Sequence, residues 1–106
     1  MQTNENLQRD TTMITWALMF FADAIKAYSR ACEIEDMNDW SEDGTYKRFK
    51  RQVEGAIVSA KTAIEMLRDE SNDPCVDVSG LISEAQAFMT NIKRKWYWMG
   101  EVVDAD

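Results

Sequence analysis

Histidine is absent from this 106-residue chain, proline occurs once, glycine four times and cysteine twice. Each scarcity closes off a class of explanation. Without histidine there is no imidazole to shuttle protons near neutral pH. With only two cysteines besides, a structural zinc site lacks the four sulfur or nitrogen ligands it prefers. No catalytic, metal-binding or cofactor-binding residue is therefore assigned, and no cofactor is expected. Few helix breakers and no alternating runs of β-branched residues leave a composition that favours helix throughout. A long apolar run is missing too. The densest stretch, residues 13–22, is apolar at every position but Thr15, and it is half of the roughly 20 residues that cross a bilayer.

What is present is acid. The formal net charge of −7 and the pI near 4.5 oppose general affinity for nucleic acid or anionic lipid, because phosphate binding is driven by lysine and arginine. A partner with a basic surface is the more natural match. Residues 1–10 are polar and lack the basic and apolar regions of a signal peptide, so a reducing, cytoplasmic location is expected. Cys32 lies late in the first helical stretch and Cys75 in the second connection. An intervening straight helix of roughly 25 residues would hold them about 37 Å apart, out of reach of a disulfide.

The hydrophobic periodicity predicts a single helical domain over residues 1–106, an all-α, small antiparallel (up-down-up) bundle of about three helices. The first covers about residues 10–37, where Ile14, Leu18, Phe21, Ile25, Tyr28 and Cys32 recur at three- and four-residue steps. Asp10 or Thr11 is its expected cap. The second, about 45–68, carries a clean stripe of Tyr46, Phe49, Val53, Ala56, Ile57, Ala60, Ile64 and Leu67. Pro74 closes it off. The third, about 79–99, starts near Asp77 or Ser79 as cap, and Ile82, Ala85, Met89, Ile92, Trp96, Met99 and Val103 continue the helical spacing. A polar segment precedes the first helix and an acidic tail follows the third. Short connections make sequential helices antiparallel neighbours.

Four features compete for function. The apolar run of the first helix puts Met13, Trp16 and Phe20 on a different face from Ile14, Leu18 and Phe21, either because the helix is covered on both sides or because the surplus face meets a partner or a second copy. Tyr97 and Trp98 follow Trp96 directly, and three consecutive aromatics about 100° apart cannot all face one core. At least one should be partly exposed, as a binding anchor or as the wet end of the core. Between residues 33 and 43 stand Glu33, Glu35, Asp36, Asp39, Glu42 and Asp43, with Trp40 as the apolar exception. Lys47, Arg48, Lys50 and Arg51 then open the second helix against its macrodipole, and Lys93, Arg94 and Lys95 end the third at the same end of the bundle. This is either a solvated face that neutralises the acidic connection or a local contact for anions or nucleic acid.

Metal and enzyme readings fail on residue type. Asp39, Ser41, Asp43 and Gly44 match the opening of a calcium loop, but Lys50 stands where the bidentate glutamate belongs. Glu33, Asp36 and Asp39 echo one half of the magnesium site of all-α nucleotide pyrophosphohydrolases, with no matching acids on a second helix. No enzyme activity is expected. In profile, a small acidic helical chain with surplus aromatics and no catalytic constellation resembles phage-encoded inhibitors, anti-CRISPR and anti-restriction proteins among them. The likeness is one of profile, with no shared motif. It implies stoichiometric binding to a larger protein, with the six acids presented to a basic, nucleic-acid-binding surface and Trp40, Tyr97 and Trp98 as anchors. The alternative is a homodimeric structural or assembly protein joined through Met13, Trp16 and Phe20. A nucleic-acid binder using the basic patch ranks below both.

Overall fold

The computed structural model describes residues 4–37, 44–70 and 77–100, with side chains described for 13–37, 44–69 and 77–100. Within them lie three helices and no strand: α1 (Asn4–Met37), α2 (Thr45–Glu70) and α3 (Ser79–Lys95). The all-α bundle expected from periodicity is the fold. At a rise of 1.5 Å per residue the three span about 51, 39 and 26 Å, so α1 is the spine and α3 covers only part of it. The molecule is accordingly a rod of 61 × 19 × 19 Å.

Cross-helix contacts give the direction of each element. Phe49 near the start of α2 meets Trp96 just past the end of α3. At the opposite end, Ala17 of α1 packs with Leu67 of α2 and with Val78 immediately before α3. Thus α2 runs against both neighbours, while α1 and α3 run parallel, as up-down-up topology requires. Phe21 and Tyr28 of α1 both contact Phe88 of α3, with ring centroids 5.6 Å apart in each pair. They hold the third helix in the groove between the first two.

The larger core lies at one end, where Ala31, Ile34, Phe49, Val53, Ala56, Ile57, Ile92, Trp96 and Met99 are buried together. Trp96 is fully buried there. Its indole Nε1 donates a 2.7 Å hydrogen bond to Glu35 Oε2, so the one polar atom of the ring is satisfied. Lys95 Nζ stands 3.8 Å from the other oxygen of the same carboxylate. Burial raises the Tyr28 phenol pKa, with Cys32 next to it adding to the effect.

Three expectations need correction. The buried line of α1 is Ala17, Ala24, Ala31 and Ile34; of the expected stripe, Ile14, Phe21, Tyr28 and Cys32 are half-buried beside it, whereas Leu18 and Ile25 are not part of the core. Alanines spaced by seven let α1 and α2 approach closely, and Gly55 faces Ala27 across the same seam. The bulky residues are displaced to the flanks, so Leu18 and Ile25 are 43% and 47% exposed. Second, α1 begins at Asn4, so Asp10 and Thr11 lie inside the helix rather than capping it. Nothing in residues 4–10 forbids helix, since proline and glycine are absent there. Third, α3 ends at Lys95 rather than near residue 99: Trp96 leaves helical geometry at φ −119°, ψ 43°. The turn that follows, closed by Met99 N–H donating to the Trp96 carbonyl at 2.9 Å, folds Met99 back into the core.

Helix α3 starts at Ser79 as expected, but the N-cap position is Val78, which makes no side-chain capping bond, rather than Asp77 or Ser79. Asp77 Oδ1 accepts hydrogen bonds from the Ser79 backbone N–H (3.1 Å) and hydroxyl (2.7 Å). These bonds favour the ionised form and lower the Asp77 pKa.

Candidate functional site

Among the described residues, the outer side of α1 carries the largest group of exposed large apolar side chains. Trp16 is 52% exposed, Leu18 43%, Met19 57% and Ile25 47%. Helical spacing puts Leu18, Met19 and Ile25 outside together, with Trp16 on the rim beyond Met19. With the alanine line turned toward α2 and Phe21 and Tyr28 turned toward α3, residues 15, 18, 19, 22 and 25 point away from both. Ala22 lies exposed among them, and Asp23 and Lys26 are the charges beside it. Met13 and Phe20, grouped with Trp16 by spacing, are half-buried instead. The residues sequence reasoning missed are Leu18, Met19 and Ile25. The run of small residues at 17, 24 and 31 was the signal that could have turned the helix the right way.

A second exposed surface lies at the α3 end of the bundle. Tyr97 is 76% exposed, and Trp98, 51% exposed, stacks on the buried Phe49 ring at 6.0 Å and 10°. The turn at 96–98 produces this split, sending one aromatic into the core and two out of it. Lys95 also lies over the Trp96 ring, 5.7 Å from its centroid, within cation–π range.

Of the acidic residues, Glu33 and Asp36 are exposed on the last turns of α1, whereas Glu35 is bound to Trp96 and Lys95. Asp39, Trp40, Glu42 and Asp43 lie outside the described residues, as do Cys75 and Val103; Cys32 is a free thiol. Among the described residues no group of three or more acids or cysteines gathers to hold a metal. Nor is any described helix long and apolar enough to cross a membrane.

The basic start of α2 meets α1 rather than standing alone. Arg48, Arg51 and Gln52 line a cleft of about 180 Å³ with Arg30, Glu33 and Ile34 of α1. A wider groove of about 470 Å³ runs between α2 and α3, lined by Lys61, Ile64, Glu65, Arg68, Gln86, Met89 and Thr90. Comparison with protein-family models, curated proteins and solved structures returns no match.

Proposed function

We propose that this chain is a non-enzymatic protein-binding module that acts by stoichiometric docking on a larger protein, in the manner of small phage-encoded inhibitors. The observation that carries the reading is the outer face of α1. Four large apolar side chains within ten residues stand 43–57% exposed on one helix. Leaving that much apolar surface in water forgoes about 25 cal/mol for each Å² that a partner would cover. Tyr97 and Trp98 add aromatic anchors of the type enriched at binding hot spots. The net charge of −7 favours a partner with a basic surface and speeds encounter with it.

Affinity capture from the native cell tests the proposal when run in parallel with a Trp16→Glu/Met19→Glu double variant. Both positions are exposed, and an unchanged circular dichroism spectrum at 222 nm checks that the variant keeps the fold. The reading expects a protein retained by the parent chain and lost with the double variant. Equal retention by both would overturn it.

A second copy of the chain is the alternative occupant, and one pattern favours it. Leu18, Ala22 and Ile25 follow the four–three spacing of a coiled-coil seam. An antiparallel pair centred between Phe21 and Ala22 would set Leu18 of each copy against Ile25 of the other. Sedimentation velocity over a wide concentration range distinguishes the two: a dimer abolished by Ile25→Glu supports self-association, and a strict monomer removes it.

A further inference from the structure

The cleft between α1 and the first turns of α2 gathers three arginines that the fold of the core does not need. Antiparallel pairing sets Ala27 against Gly55, and one turn further along it brings Arg30 alongside Arg48, Arg51 and Gln52. Among the described residues no ion pair or side-chain hydrogen bond engages these guanidiniums or the Glu33 carboxylate. A chain with 19 acids and 12 bases thus leaves three cations together, facing one carboxylate. Their position is electrostatically adverse, because the N-terminal end of α2 already carries the positive pole of its dipole. Like charges held in one cleft repel, and an anion seated among them would relieve both terms.

We propose that this cleft binds a phosphate dianion, free or as the phosphate group of a small monoester, through Arg30, Arg48 and Arg51. The chemistry of the lining fits that ligand class. Guanidinium presents a planar fork of N–H donors that matches the oxygens of phosphate in bidentate fashion, and forks arriving from two helices approach different edges of a tetrahedron. Gln52 supplies a neutral amide donor. Three guanidiniums against Glu33 leave a net charge of +2 in the cleft, complementary to a dianion. Ile34, 7% exposed, forms an apolar floor that strengthens charge–charge attraction above it. A cleft of about 180 Å³ takes a five-heavy-atom anion with a few waters. Glu33 is the one repulsive group, and it makes the site adjustable: removing its charge strengthens binding.

Inorganic phosphate titrated into the full chain, followed by backbone amide NMR, tests the site, with sodium chloride at matched ionic strength as the control. A phosphate monoester, adenosine 5′-monophosphate, forms a second arm. Saturable shifts centred on residues 30–34 and 48–52 are expected with phosphate and absent with chloride; the monoester arm tells whether the site admits a substituted phosphate. Arg51→Gln should raise Kd at least about tenfold, the loss expected for one charged hydrogen-bond pair. Arg51→Lys, which keeps the charge but not the fork, should fall between the two. Glu33→Gln should lower Kd several-fold. All these side chains are exposed, so circular dichroism of each variant should overlay on the parent. Non-saturable shifts equal to those in chloride would overturn the proposal. So would binding that survives an Arg30→Gln/Arg51→Gln double variant, or tight binding of an unphosphorylated-end oligonucleotide without any response to phosphate.

Discussion

Replacing Glu35 with alanine removes the acceptor that holds Trp96, and the consequence can be worked from the geometry. The Trp96 side chain is fully buried and its indole N–H lies 2.7 Å from a carboxylate oxygen. A hydrogen bond to a charged group contributes about 1.5–3 kcal/mol. Glu35 is 31% exposed, so water competes for its charge and the lower part of that range applies. In the alanine variant the indole N–H is left without its acceptor in the larger core, a penalty of about 1–3 kcal/mol that overlaps with the first figure rather than adding to it. A loss of about 2 kcal/mol corresponds to a fall in Tm of about 8–16 °C for a domain of up to 100 residues. Glu35→Gln keeps an acceptor at the same reach and should lose about half as much. Thermal melts by circular dichroism at 222 nm measure both. A Glu35→Ala variant melting within about 2 °C of the parent would refute the role assigned to this bond.

Gly44 carries φ +97° with open space where a Cβ would go, so Gly44→Ala should destabilise by about 1–2 kcal/mol through backbone strain alone. Gly80 also has open space but no positive φ, and Gly80→Ala in α3 should stabilise by about 0.5–1 kcal/mol; urea unfolding separates the two signs. Ala24→Leu forces a large side chain into the close α1–α2 seam, where Ala24 is fully buried, and should lower stability by about 1–3 kcal/mol in the same assay. The Asp77 carboxyl has a folded pKa below its ordinary value, lowered by the Ser79 hydroxyl and backbone N–H. Its stabilising effect is therefore present above the unfolded value of about 3.9 and is lost as pH falls through the folded one. Amide exchange at residues 79–82 should accelerate over that acid range, and Asp77→Asn should remove the dependence.

The helical class, the topology and the placement of α2 were legible because its apolar stripe is unbroken and its flanks are charged. In α1 the same kind of reading found the half-buried Ile14, Phe21, Tyr28 and Cys32 but wrongly added Leu18 and Ile25 and missed the fully buried alanine line. Nearly every residue from 13 to 22 is apolar, so periodicity there has little contrast, and large side chains outweighed alanine in choosing a face. Packing chose otherwise, because the small side chains of Ala17, Ala24 and Ala31 allow the close approach that buries them completely. The exposure of an aromatic after Trp96 followed from the 100° helical step alone, whereas the turn that exposes both Tyr97 and Trp98 depends on Met99 returning to the core. The arginine cleft was half visible. Arg48 and Arg51 stood out against the helix dipole, but Arg30 joins them only through a register between α1 and α2 that local sequence does not specify. Glu35 looked like one of six surface acids until the fold placed Trp96 beside it.

We propose that the outer face of α1 is covered by a larger protein when this chain acts. A photo-crosslinking residue placed at Met19, which is 57% exposed, tests it directly in the native cell, with the same residue at the exposed Glu54 of α2 as control. The account predicts one adduct formed at position 19 with a protein larger than this chain and not formed at position 54. An adduct pattern identical at the two positions, or one at position 19 whose mass is that of two copies of the chain, would contradict it.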